Sequence, residues 1–401
     1  MINGGQISDA VIVIGAGASG LAVAYELRER GLPVRIIDKA FRAGEVWHHR
    51  HPQLRLNTHR YLSGLPGMVI PKTAGAFPSR DDIIQYLDNY AEQLDVPIEY
   101  GVNVKHINRK KGVWLIETNK GVYSTRHVVV ATGHDRVPLI PSWPGRKSFK
   151  NKFIHASDFG QLSSYRGKKV LVIGAGNSGT DILNHLSNIE TQKIWVSVRH
   201  GPVIFPTHLY GVPVQLLSPI LAKLPTPVVD GMLRLTEFLA FGNLKKWGLR
   251  KHRDGGATRL LISGTAPAID NGFIAALKAG KVEVVAEVRA FEVDSVQLVN
   301  EQYIEPDIVI AATGYRTGLE SIFMFGGVLN ESGVPPVQGK QQLKDYPGLF
   351  FTGMQPGLPG FFYAAGLTGR EIAKAIESEY KMKAVVTAKT EMKTATDNTA
   401  A

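Results

Sequence analysis

Two glycine-rich runs carry residue types and spacings that suit the binding of a pyrophosphate. The first is Val-Ile-Val-Ile followed by Gly15, Ala16, Gly17, Ala18, Ser19 and Gly20. The second is Val-Leu-Val-Ile followed by Gly174, Ala175, Gly176, Asn177, Ser178 and Gly179. In such a run the first glycine makes a tight turn, the second lets backbone approach the phosphates, and the third packs helix on strand. The helix that opens there presents its N-terminal N–H groups to the anion. A charged residue ends the next strand of each unit. Val34–Ile37 is followed by Asp38 and Lys39, and Ile194–Val198 by Arg199 and His200. A carboxylate accepts hydrogen bonds from an unphosphorylated ribose diol, whereas a guanidinium pairs with a 2′-phosphate. The pattern predicts FAD on the first unit and NADPH on the second.

The elements that must hold these residues follow from the patterning. A β-α-β unit spans Val11 to Asp38, and a second runs from Lys169 to Val198. Ser79 is placed as the N-cap of a helix whose apolar positions are Ile83, Ile84, Leu87, Tyr90, Ala91 and Leu94. Strands fill Ile98–Val130 and Val282–Ile310, and a last strand leads into a helix expected over Tyr363–Tyr380. Between Gly201 and Gly242 the apolar residues Leu221, Leu224, Val228, Met232, Leu235 and Phe238 recur at helical spacing. They read as a helical cap on the substrate side, or as an apolar entry or membrane-touching surface. The fold class expected is α/β, with two Rossmann-like dinucleotide-binding domains, the second inserted in the first. The expected boundaries are 1–160 and 319–382 for the FAD domain and 161–318 for the NADPH domain, with a helical insert at about 201–245. Residues 383–401, without an apolar face, are expected to form a flexible tail.

Composition narrows the chemistry. The 401 residues include no cysteine, which removes disulfides, iron–sulfur clusters and dithiol redox chemistry. The formal net charge of +11 favours anionic ligands, NADPH among them. The basic residues are scattered apart from Lys245-Lys246 and Arg250–Arg253, so no nucleic-acid partner is expected. No secretory signal and no run near ~18 apolar residues is visible, and a cytoplasmic protein is expected. His48, His49 and His51 invite a metal reading, but neighbours on an extended chain point opposite ways and no nearby acid or cysteine completes a ligand set. No metal is expected. A homodimer is left open.

Further motifs carry a family resemblance that spans Val11 to about Ile376. Phe149–Phe159 is similar to the F-x-G-x-x-x-H-x-x-x-[FY] run of class B flavin-containing monooxygenases, with Asn151 in place of glycine. Asn tolerates positive φ best among non-glycine residues, so the turn is expected to survive. Ala312-Thr313-Gly314-Tyr315 resembles that family's late A-T-G-Y motif, and Gly44-Glu45-Val46-Trp47 its flavin-side G-G-x-W segment. The chain resembles most the YUCCA-like branch and its bacterial relatives.

The resemblance implies an NADPH- and O2-dependent monooxygenase that forms a C4a-(hydro)peroxyflavin and oxygenates a small nitrogen- or sulfur-containing nucleophile. YUCCA-like oxidative decarboxylation of an α-keto acid such as indole-3-pyruvate, or Baeyer–Villiger oxidation, is the alternative. A flavoprotein that binds nucleotides without oxygenating is a reading of another class. By the same resemblance, Leu56 and Asn57 lie beside the flavin, Asn57 holding the oxygen adduct and NADP+. Thr132, Gly133, Thr313, Gly314 and Tyr315 close the strand ends over the cofactors. Leu358 and Phe361 precede a helix N-terminus aimed at the flavin, and His155 links the two nucleotide domains by hydrogen bonds.

Overall fold

The computed structural model describes residues 10–399, with side chains for residues 10–382. The lead at 1–9 and the expected flexible tail at 383–401 lie outside the described residues, apart from the backbone of the last helix.

The principal elements run β1 (Val11–Ile14), α1 (Ala18–Arg28), β2 (Val34–Ile37), α2 (Arg80–Gln93), β3 (Ile98–Glu99) and β4 (Val128–Val130). There follow β5 (Lys152–His155), β6 (Lys169–Ile173), α3 (Asn177–Leu186), β7 (Lys193–Ser197), α4 (Thr226–Phe241), α5 (Gly256–Ser263), β8 (Val282–Val285) and β9 (Ile308–Ala311). β10 (Leu349–Phe351) and α6 (Phe361–Thr399) complete the chain.

Two five-stranded parallel sheets result, in the orders β10-β4-β1-β2-β3 and β8-β7-β6-β9-β5. All four residues of β1 and of β9 are buried, the near-continuous apolar run expected of parallel strands covered on both faces. In each sheet the chain steps outward, β1 to β2 to β3 and β6 to β7 to β8, before it returns to the other side, where β5, which precedes β6, already forms the edge of the second sheet. The order therefore reverses between β1 and β4, and between β6 and β9. Crevices at such reversal points, beyond the carboxyl ends of the strands, are where doubly wound sheets bind ligands.

The helix after Ser79 starts as its residues require. Ser79 and Asp82 form a reciprocal capping box, with the Ser79 side chain bonded to the Asp82 amide and the Asp82 side chain to the Ser79 amide. Ile83, Leu87 and Leu94 are buried in the first core, and the Tyr86 hydroxyl joins Leu65 N to Met68 O. α6 lies along α1, and Gly369 permits the contact, since a Cβ there would stand 3.2 Å from the Ala22 backbone. The helix begins at Phe361, two residues before the expected start, and its backbone continues past Tyr380 to Thr399.

The helical insert differs from expectation in extent and in composition. It is bracketed by Ile204–Pro206 paired in parallel with Ala268–Asp270, and it contains a short hairpin, His208–Leu209 with Val212–Pro213, before the helices. It therefore runs about twenty residues past the expected end. The basic stretch at Arg250–Arg253, which reads as solvated loop, hides the short helix α5 behind it.

Candidate functional site

The ends of the two sheets open on one cavity of about 1630 Å³. Its walls include Gly15, Gly17, Ala18, Ser19, Asp38, Lys39, Glu45, Val46, Trp47, Leu56, Asn57, Thr132 and Gly133 from the first sheet's side. From the second come Gly174, Gly176, Asn177, Ser178, Arg199, His200, Thr313, Gly314 and Tyr315, and from the segment before α6, Leu358 and Phe361. Gly20 and Gly179 do not line it. A Cβ on Gly20 would lie 1.8 Å from Gly15 O, and one on Gly179 2.0 Å from Gly174 O, so these two glycines hold helix against turn.

The middle glycines behave differently. A Cβ on Gly17 or Gly176 would meet nothing within 4 Å, because it would project into the cavity. Each is the N-cap of its helix, and neither helix has a side-chain cap. The two helix N-termini thus face open space with backbone donors, which suits a pyrophosphate at each. Two further polar atoms in the cavity wall, Thr132 Oγ1 and Arg136 Nη1, are buried without a hydrogen-bond partner. Burial pulls the Arg136 guanidinium below its usual pKa, against the opposing charge of Asp38. An orphaned guanidinium and hydroxyl beside the first glycine motif are the groups an anionic cofactor satisfies. Arg136 had no local signal in the sequence, since it follows the strand in an irregular His-Asp-Arg-Val-Pro run.

The charged strand ends differ in how firmly they are held. Asp38 Oδ2 accepts from Ala16 N at 2.5 Å and Oδ1 from Ala40 N at 2.7 Å, which fixes the carboxylate at the mouth of the first turn. Arg199 and His200 are exposed at the mouth of the second. Glu45 pairs with Arg42 at 2.8 Å and His49 at 3.1 Å at the start of a single helical turn, and Trp47 packs on Phe362 at 5.8 Å between ring centres.

The two sheets meet at residues 50–57. Arg50 Nη1 donates to the Tyr315 hydroxyl at 2.9 Å, and His51 Nε2 lies 2.9 Å from Asp181 Oδ2 on α3. Asn57 Nδ2 reaches Asn177 Oδ1 at 3.4 Å, and Asn177 Nδ2 donates to Ala266 O at 2.9 Å. Asn57 therefore stands where the first sheet's loop touches the second glycine motif.

Three expectations are corrected here. His155 does its bonding within the second sheet's side, to Gly314 O and Ser157 Oγ at 3.0 Å each, and its ring packs edge-on against Tyr315, which Arg50 holds from the first sheet's side. Direct links across the junction include Arg50–Tyr315, His51–Asp181 and Asn57–Asn177. Asn151 does not adopt positive φ. Its amide instead donates to Pro306 O at 3.1 Å and Asp294 O at 3.3 Å, so the side chain replaces the glycine turn as the anchor. The histidine cluster also acquires an acid that sequence proximity concealed. His51, Asp181 and His185 present ligand-type atoms within 4.8 Å of one another, Asp181 and His185 being one turn apart on α3. Burial alone would raise the Asp181 carboxyl, but hydrogen bonds from His185 and His51 and their charge outweigh it and hold it below the usual carboxylate range.

Thr313, Gly314 and Tyr315 also fasten the connection between the sheets. Thr313 Oγ1 donates to Leu139 O, Leu139 N donates to Gly314 O at 3.0 Å, and Tyr315–Arg316 pairs antiparallel with Val137–Pro138. The far end of the cavity is largely apolar. Phe205, Leu217, Leu221, Met232 and Leu233 line it, with Gln215, whose amide atoms are buried without a partner, and with the half-buried guanidinium of Arg259 on α5.

Comparison with known proteins agrees with this architecture. Residues 12–204 match a family model described as pyridine nucleotide-disulphide oxidoreductase. With no cysteine in the chain, its own residues cannot form the disulfide that this description names. The probable indole-3-pyruvate monooxygenase YUCCA7 of Arabidopsis thaliana is 30% identical over 388 residues, covering 93% of this chain and 89% of that protein. Indole-3-pyruvate monooxygenase YUCCA1 of Oryza sativa subsp. japonica is 30% identical over 356 residues, 87% of each chain. Among solved structures, a flavin-containing monooxygenase from Stenotrophomonas maltophilia aligns with TM-score 0.70 at 21% identity, over 94% of this chain and 99% of that one. OTEMO in complex with FAD and NADP aligns with TM-score 0.67 at 18% identity, over 95% and 86%. No helix among the described residues is long and apolar enough to cross a membrane. The two glycine cradles on one cavity, with full-length relatives at 30% identity, make this chain a member of the class B flavin monooxygenases, FAD- and NADPH-dependent oxidoreductases.

Proposed function

We propose that FAD lies along the first sheet's crevice, with its pyrophosphate at Gly17 and its adenosine ribose at Asp38, and that NADPH lies along the second, at Gly176 and Arg199. The observation that carries this is the open space at both middle glycines, in a cavity that the two motifs share. The chemistry supplied by the bound cofactors is reduction of O2 at the expense of NADPH, with one oxygen atom passed to substrate. The protein's part is to bind, orient and exclude water. Arg136 and Thr132 satisfy the first cofactor's polar groups. Asn57, able to donate and accept at once, stands where the two ligands meet. Trp47, Leu358 and Phe361 shield the reacting region from solvent.

The substrate is a small nucleophilic compound with nitrogen or sulfur as the oxygenated atom, taken in the apolar end of the cavity. A second reading is oxidative decarboxylation of an apolar α-keto acid. It is favoured by Arg259, whose half-buried guanidinium stands in a largely apolar wall and would pair with a carboxylate, and by relatives named as indole-3-pyruvate monooxygenases. The test is NADPH consumption and ¹⁸O incorporation from ¹⁸O2 with a tertiary amine, a thioether and an aryl pyruvate in parallel. Label in an amine or sulfur oxide supports the first reading. Stoichiometric CO2 from the keto acid, lost in Arg259→Leu, supports the second. Absence of label from every product would sink both.

A further inference from the structure

Helix α4 carries two apolar stripes. Val229 and Leu233 are buried against Val203, Phe205 and Ala257. Val228, Met232, Leu235 and Leu239, at steps of four, three and four, form a second stripe that is between 43% and 57% exposed. This second stripe, with Leu224 and Phe238, is largely the apolar run that stands out in the sequence, and it faces solvent. Packed against α4, α5 turns Leu261 and Ile262 outward with about three quarters of each exposed (73% and 76%). At the tip of the hairpin before these helices, Tyr210 is 86% exposed and held at φ 49°.

The charges of the same segment are sorted by sign. Lys223, Arg234, Lys245, Lys246, Lys251 and Arg253 are exposed. The acids are engaged. Asp230 accepts from Ala257 N, Thr258 N and Thr258 Oγ1 at the start of α5, Glu237 is buried, and Asp254 pairs with Arg253 and His252. Cations and apolar groups are interleaved, for Lys251 Nζ lies 5.9 Å from the centre of the Phe238 ring and Arg234 donates to Arg253 O.

We infer that this helical insert docks on the surface of a lipid bilayer bearing anionic headgroups. An amphipathic helix with a cationic flank lies in the interfacial plane, its apolar stripe among the upper acyl chains and its lysines at the phosphates. A tyrosine at a loop tip suits the headgroup level. The occupant is decided by charge. Symmetric pairing with a second copy would bring these cations against their own kind, whereas an anionic lipid surface neutralises them. Leu217 and Leu221, just before α4, line the apolar end of the cavity, and Met232 of the exposed stripe borders it as well. On the reading of the cavity given above, docking sets the substrate end beside the bilayer, where apolar substrates concentrate.

The test is co-sedimentation of the FAD-loaded enzyme with vesicles of phosphatidylcholine alone and of phosphatidylcholine with phosphatidylglycerol. Binding is expected to the mixed vesicles, to weaken as salt shortens the Debye length, and to be slight on the neutral ones. Lys245→Gln with Lys246→Gln is expected to weaken it about thirtyfold. Leu235→Gln with Leu239→Gln, at positions outside the cavity wall, is expected to abolish most of it while leaving flavin absorbance and NADPH oxidation in buffer unchanged. Failure to bind mixed vesicles overturns the inference, as does binding that neither pair of substitutions weakens. A dimer by light scattering that the leucine substitutions dissociate, without vesicle binding, would assign the stripe to a second copy instead. These outcomes leave the cofactor assignment untouched, since flavin content is read separately.

Discussion

At Gly17, where the first cofactor's pyrophosphate is proposed to lie, the missing side chain leaves the space that ligand would take. A Cβ would meet no protein atom there, so a larger residue is tolerated by the fold and opposed by the ligand. Gly17→Val is therefore expected to fold, with far-UV circular dichroism like the parent's, and to purify without the yellow flavin band near ~450 nm. Gly20→Val would instead collide with Gly15 O and is a folding mutation. Arg199 is proposed to contribute by charge. A charge-assisted bond of the kind proposed is worth ~1.5–3 kcal/mol, so Arg199→Ala should raise KM for NADPH roughly ten- to a hundredfold and leave that for NADH nearly unchanged. Equal KM values for the two cofactors in the parent would contradict the assignment. Asn57→Leu removes both donor and acceptor at the meeting of the two motifs. Flavin reduction by NADPH should stay within a few-fold, while the hydrogen peroxide released per NADPH consumed rises at the expense of oxygenated product. An unchanged coupling ratio would place the oxygenation site nearer Trp47 or Phe361.

The elements hold these groups through a few contacts that span long stretches of chain. α3 is tied to the first sheet's loop by the Asp181 carboxylate between His51 and His185. Because the folded carboxyl is held below its unfolded range, its stabilisation is in force above about pH 4 and drains away as pH falls through the folded value. Asp181→Asn is expected to cost on the order of 1–3 kcal/mol near neutrality and to flatten the acid limb of stability. Urea unfolding between about pH 3 and pH 6 checks this, and parallel acid limbs in parent and variant would refute it. Such contacts explain what could and could not be read in advance. The strand–turn–helix units around Gly15–Gly20 and Gly174–Gly179, and the capping box at Ser79, are local patterns, and they were legible. His51 and Asp181 are 130 positions apart, so the acid completing the histidine cluster left no local trace. On α4 both stripes are apolar. Periodicity revealed a helix there but could not say which side faced inward, and the more conspicuous stripe faces outward.

In the molecule as a whole, the two sheets contribute to one cavity. Ligand that binds only the folded state stabilises it by mass action, by ~2.7 kcal/mol at a hundredfold excess over Kd. Removal of FAD should therefore lower the thermal midpoint, and re-addition should restore it with a concentration dependence. NADP+ added to the holoenzyme should raise it further, because the site proposed for it uses the other sheet. Differential scanning fluorimetry across a cofactor titration measures both. A midpoint indifferent to FAD would mean that the cavity closes without it.

Arg50 and His51 are consecutive in the chain, yet one grips Tyr315 and the other Asp181 on the opposite body. In mechanical terms the two grips pin both sides at one dipeptide. If one sheet turned against the other about that point, atoms at residues 50–51 would move least and the rims most. Because the chain contains no cysteine, a pair of introduced thiols would be the only dye attachment points. Dyes on the outer edges of the two sheets would then report such a turn, and dyes beside Arg50 almost none of it.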